Sequence, residues 1–119
     1  MTESYEPGSE SFVFSYESPI HDVFPKLHEA QSDWLSQVDS LSSPDRKTHE
    51  LVRLVCSVIL RSAQGVERHA RLAREVGADW PEVLGTIMLT TPNFGIVPAV
   101  EALPAARRGF DSAEPPETD

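Results

Sequence analysis

Residues 44–77, PDRKTHELVRLVCSVILRSAQGVERHARLAREVG, decide how this chain is read. Ser43 can cap a helix whose first helical position is Pro44, and the apolar run behind it reaches about Ala63 before Gly65 interrupts it. A further helix then runs from about Val66 to Gly77, a residue suited to the left-handed position past a helix end. On a helical wheel Val66, Ala70, Leu72, Ala73 and Val76 gather on one side, and Glu67, Arg68, Arg71, Arg74 and Glu75 on the other. His69 falls inside the apolar stripe. An inward imidazole is either a structural hydrogen-bonding group or a proton-transfer group. The preceding helix is apolar on most of its circumference, with a narrow polar arc of Glu50, Arg53, Ser57 and Arg61. Such a helix wants cover on several sides, which a small domain does not supply alone, so the pattern predicts a homo-oligomer.

Outward from this pair, the same period continues. His21 to Ser40 reads as one helix, with Leu27, Ala30, Trp34, Leu35 and Val38 on its apolar face and Pro25 in its first turn. Asp79 opens another, with Pro81 in the first turn and Glu82 placed for a capping box, continuing to about Thr90. Pro92, Asn93 and Gly95 form a turn, and a last helix spans Ile96 to Phe110, shortened or kinked by Pro98 and Pro104. No stretch alternates with period two. The fold class is therefore all-α, a small bundle of about five helices. A short apolar patch, Phe12 to Phe14, precedes them. Residues 1–11 and 111–119 are acidic and rich in Pro, Gly and Ser, and read as disordered tails around a single domain at 12–110.

The 119 residues carry a net charge of −9, unevenly placed. Eight acids face only Lys26 in residues 1–44, residues 45–110 are net +2, and residues 111–119 are net −4. That balance argues against nucleic acid as a partner. Leu51 to Leu60 is the longest apolar stretch and is interrupted by Arg53 and Ser57, far short of the roughly 20 residues that cross a bilayer. The first twenty residues lack the basic start of a secretory leader, and the one cysteine, Cys56, has no disulfide partner within the chain. The expectation is a cytoplasmic protein without membrane contact. His21, His28, His49 and His69 show no metal-ligand spacing, so neither a metal nor another cofactor is expected.

Four features occur in order between Lys47 and Phe110. Glu50 stands near the start of a hydrophobic helix, and His69 follows nineteen residues later within ERHARLAR. A Gly-x-x-x-x-Glu-Val block spans Gly77 to Val83, and a Phe-Gly-x-x-Pro-Ala turn spans Phe94 to Ala99. Together they resemble the carboxymuconolactone decarboxylase and alkylhydroperoxidase D-like superfamily over about half of the chain. The resemblance implies an all-α domain assembling into trimers or hexamers, with the site near subunit contacts. In the peroxidase branch a Cys-x-x-Cys pair occupies the positions of Ser62 and Gly65, with a relay histidine at that of Gln64. Neither Ser nor Gly can be oxidised as a thiolate is, so thiol peroxidase chemistry is disfavoured. Cys56, on the apolar wheel, reads as a plain buried thiol.

The decarboxylase branch lacks those cysteines too. It implies acid/base chemistry (decarboxylation, isomerisation or elimination) on a small carboxylated organic molecule. His69 and Glu50 are then the catalytic candidates, with Arg61, Ser62 and Gln64 as substrate-binding candidates. Glu50 can orient the imidazole, or simply pair with Arg53 on the helix surface. Ser62 can line a cavity, or bond back to a carbonyl one turn earlier. With Glu50 about 18 Å from Ser62 along a straight helix and His69 only a turn into the next, contact across a subunit boundary is one way to join them. The competing class is a non-catalytic oligomeric binding or scaffold module of the same fold.

Overall fold

The structure, a computed structural model, describes residues 18–116. The readings of the 1–11 tail, the Phe12–Phe14 patch and the last three residues lie outside that range. Every regular element among the described residues is helical. The chain divides into two compact units at Ser42/Ser43.

The first unit holds α1 (Ser18–Val23) and α2 (Pro25–Asp39). The single helix expected from His21 to Ser40 is thus two, parted at Phe24, because proline disfavours helical backbone in the residue before it. Pro25 itself sits where its missing N–H costs nothing, at the start of α2. The buried face of α2 is polar. His28, Ser32 and Asp39 are buried, whereas Leu27 and Trp34 of the apolar stripe are more than half exposed. The apolar positions keep helical spacing, but the buried residues of α2 lie on its polar side.

The second unit contains α3 (Arg46–Ile59), α4 (Ala63–Glu75), α5 (Trp80–Met88), the single turn α6 (Thr91–Phe94) and α7 (Ile96–Ser112). Asp45, not Ser43, caps α3, accepting a 2.8 Å bond from the Thr48 N–H. The helix ends before Gly65. Arg61 takes the left-handed position with φ 57°, its N–H bonds to Val58 O, and the Ser62 N–H reaches Ser57 O. Ser62 then caps α4 by accepting from the Gly65 N–H. Gly65 is present for proximity instead of as a breaker, since a Cβ there would stand 2.5 Å from Ser57 Oγ on the facing helix. Gly77 does end α4 as expected, at φ 108°, with Ala78 N–H bonded to Ala73 O and Gly77 N–H to Arg74 O. The Asp79–Glu82 capping box is also formed in both directions.

α4 lies at the centre, packed between α3 and α7. Its apolar side, Val66, Ala70 and Ala73, meets Leu54 and Val58 of α3, Val83 and Ile87 of α5, and a run of alanines on α7. Those alanines, Ala99, Ala102 and Ala106, continue into Gly109 at helical spacing, giving α7 a shallow face. At Gly109 the backbone of α7 comes so close to the Glu67 carbonyl that there is no room for a Cβ. α7 begins two residues before Pro98 and passes through Pro104 to Ser112, and Ala113 beyond it is buried. Helix propensity alone favours Gly109→Ala by roughly 1 kcal/mol. The contact reverses that sign: this variant is expected to lose about 1–3 kcal/mol in chemical denaturation, as overpacked cores do.

Candidate active site

The polar arc of α3 faces inward, whereas Val52, Cys56 and Leu60 on the apolar side are exposed. Cys56 is therefore not the buried thiol the wheel suggested. Helical spacing extends the arc to Arg46, His49, Glu50, Arg53 and Ser57. Glu50 is 0 % exposed and His69 is 6 % exposed. His69 Nδ1 lies 3.0 Å from Glu50 Oε1, and Arg46 Nη2 lies 2.9 Å from Glu50 Oε2. Each carboxylate oxygen thus has its own partner within one chain. Arg53 Nη1 is 3.4 Å from His49 Nε2, and Arg46 Nη1 is 3.3 Å from His49 Nδ1.

The hairpin explains how residues nineteen apart meet. Because α4 starts at Ala63, His69 is nearly two turns into it instead of one. At 1.5 Å per residue, Glu50 lies about 15 Å back from Leu60 and His69 about 10 Å on from Ser62, a mismatch that two long side chains span. No second subunit is required to join them.

A carboxylate accepts and does not donate, so the Nδ1 of His69 carries the hydrogen in this bond. The neutral ring then presents Nε2 as its basic nitrogen. Burial, the largest influence, pushes the imidazole below its ordinary value of 6.5; the hydrogen bond and charge of Glu50 oppose this, and Arg53 and Arg68 add to the lowering. His69 is thus neutral near pH 7, held in one tautomer, with a carboxylate placed to stabilise a proton if the ring takes one.

The three binding candidates do not reach this pair. Arg61 is exposed and ion-pairs with Glu101 at 3.1 Å. Ser62 serves as the α4 cap, and Gln64 is exposed in the first turn. Arg61 and Ser62 do line a separate cavity of about 320 Å³ with Val58, Ala63, Val66, Pro98, Glu101 and Ala102. Neither Glu50 nor His69 is among its walls. The sequence reading missed Arg46 and His49, although both continue the arc of Glu50 at spacings of four and one.

Comparison with known proteins finds no matching protein-family model, no matching curated protein and no matching solved structure. What the chain offers is an all-helical hairpin with a buried Glu–His pair and a part-exposed arginine on the same carboxylate.

Two outcomes follow from that array. Glu50→Ala takes from buried His69 the acceptor of its Nδ1–H and from part-exposed Arg46 its carboxylate, and is expected to cost about 1–3 kcal/mol in denaturant titration. Because the folded state holds His69 below its unfolded value, the unfolded chain binds the extra proton between the two values. Stability should therefore be full above pH 6.5 and fall as the pH drops from there toward the folded value of His69. Exposed Asp45 and Glu82, held below their ordinary 3.8 and 4.5, lose their contributions only at more acid pH. Denaturation midpoints measured from pH 8 to pH 5 should slope in the parent and flatten in His69→Gln.

Proposed function

We propose that this chain performs proton-transfer chemistry on a small carboxylated organic molecule, with His69 as the general base and Glu50 as the residue that orients it. The observation that carries the reading is the 3.0 Å Nδ1–Oε1 bond between two buried side chains on adjacent helices. Buried ion pairs rarely stabilise a fold more than apolar residues of the same volume would. A buried array that also fixes a tautomer and a basic nitrogen has a use in catalysis.

The chemistry needs a carbon acid. His69 Nε2 takes a proton from the carbon that lies between a carboxyl group and a β,γ double bond, and the electron pair left behind delocalises over both. Return of the same proton to another carbon completes an isomerisation; departure of a leaving group completes an elimination. Decarboxylation instead begins by losing carbon dioxide and then draws a proton from the imidazolium. A ring that rests neutral favours the routes that begin with abstraction. The resemblance to the carboxymuconolactone decarboxylase branch supports the same substrate class, and Ser62 and Gly65 supply no thiol for the peroxidase alternative.

Exposed apolar side chains favour a second element of the reading. Leu60 and Leu89 are 77 % and 75 % exposed, and Phe94, Ile96, Val97 and Val100 are each about half exposed. They support assembly of a homo-oligomer, trimeric or hexameric if the resemblance holds, and they equally suit a non-catalytic scaffold. A cytoplasmic location belongs to the same proposal; the described residues include no helix long and apolar enough to cross a membrane.

Incubation with β,γ-unsaturated carboxylates in deuterated buffer tests the catalytic reading by NMR. Deuterium should enter at the acidic carbon, and His69→Gln should slow entry by about 10²–10⁴ with helical content unchanged. Equal exchange in the variant and the parent would leave the scaffold reading in possession.

A further inference from the structure

The turn that closes the α3–α4 hairpin also shapes a cavity that the acid/base array does not use. Its walls are apolar: Val58 and Val66 are almost fully buried and Ala102 nearly so, with Pro98 beside them. Its polar groups are few and belong to residues at the turn and on α7. Arg61, set at φ 57°, extends a guanidinium that holds a carboxylate already, that of Glu101, at 3.1 Å between exposed side chains. Both residues line the same cavity. The volume, about 320 Å³, is at the lower end of the range for ligand sites and has room for roughly ten non-hydrogen atoms at the packing of a liquid.

We propose that this cavity binds a small amphipathic carboxylic acid, its apolar body against Val58, Val66 and Ala102 and its carboxylate on Arg61 in place of Glu101. Apolar walls with one guanidinium suit a molecule with a single anionic end. Glu101 is the resident competitor. The ligand releases that side chain to water, so the ion pair acts as a latch whose opening the ligand's own carboxylate offsets. An uncharged amphiphile gains the walls but not the guanidinium.

The inference is independent of turnover at His69, because it concerns equilibrium binding at a cavity that His69 does not line. Octanoate is a suitable probe, being about the size of the space. Calorimetric titration of the full chain should show saturable single-site binding, with 1-octanol at least tenfold weaker. Mouth variants should move in opposite directions: Arg61→Gln weakens octanoate about tenfold, and Glu101→Gln, by freeing Arg61, tightens it. Ala102→Leu fills the space from within. Should that variant fail to fold, Ala63→Phe blocks the cavity from an exposed position, and either is expected to abolish binding of both probes. Absence of saturable binding at millimolar octanoate would overturn the proposal, as would binding that Ala63→Phe leaves intact. Octanol binding as tightly as octanoate would overturn the assignment to carboxylic acids.

Discussion

A carboxylate with no exposed surface persists only if donors reach both of its oxygens, and Glu50 imposes that requirement on the second unit. One oxygen is met from its own helix, four residues back, by Arg46; the other is met from α4 by His69. The second contact fixes the register of the α3–α4 hairpin, since sliding either helix by one residue shifts the pair by about 1.5 Å and turns the side chain away. Register in turn is set by the turn. Arg61 in the left-handed region ends α3 within one residue, and the Ser62 cap restarts the helix at once, so little slack exists between the two. A non-glycine residue there costs on the order of 1–2 kcal/mol. The hairpin absorbs that cost in exchange for a side chain at the mouth of the cavity.

The small faces of the helices serve the same end. Gly65 lets α4 approach Ser57 of α3, and the alanines and Gly109 of α7 let it approach the other side of α4. Within this stack Glu50 and His69 are buried from water. That desolvation is the leading cause of the lowered imidazole value. The geometry and the acid/base character of the site therefore share one origin, the narrowness of the α3–α4–α7 stack. The cavity lies at the hairpin end of that stack, where the walls are apolar and only the rim is charged.

Polar groups are buried on two of the helices. In α2 the buried residues are His28, Ser32 and Asp39, and in α3 Glu50 and Ser57 are buried beside the core residues Leu54 and Val58, while Val52, Cys56 and Leu60 are exposed. A wheel sorts residues into faces by type and assumes that the apolar face turns inward. The assumption fails where polar groups satisfy one another inside and apolar ones await other cover. His69 was placed correctly because its helix is flanked by partners on its apolar side. The apolar side of α2 has no such cover among the described residues, and Leu27 and Trp34 stay exposed.

Local chemistry was legible wherever it is settled within one turn of chain. The all-helical class, the Asp79–Glu82 capping box, the left-handed Gly77 and the inward His69 all follow from residues three or four positions apart, whose interactions a sequence displays directly. Ends that depend on competition were not: Asp45 displaced Ser43 as a cap, Arg61 displaced Gly65 as the stop, and Phe24 parted a helix that period alone joins. The meeting of Glu50 with His69 and Arg46, the placing of Arg61 against Glu101, and the need for glycine at position 109 were decided only by tertiary structure. Each depends on distances between helices, and helical spacing within a chain carries no information about which turn of one helix lies beside which turn of another.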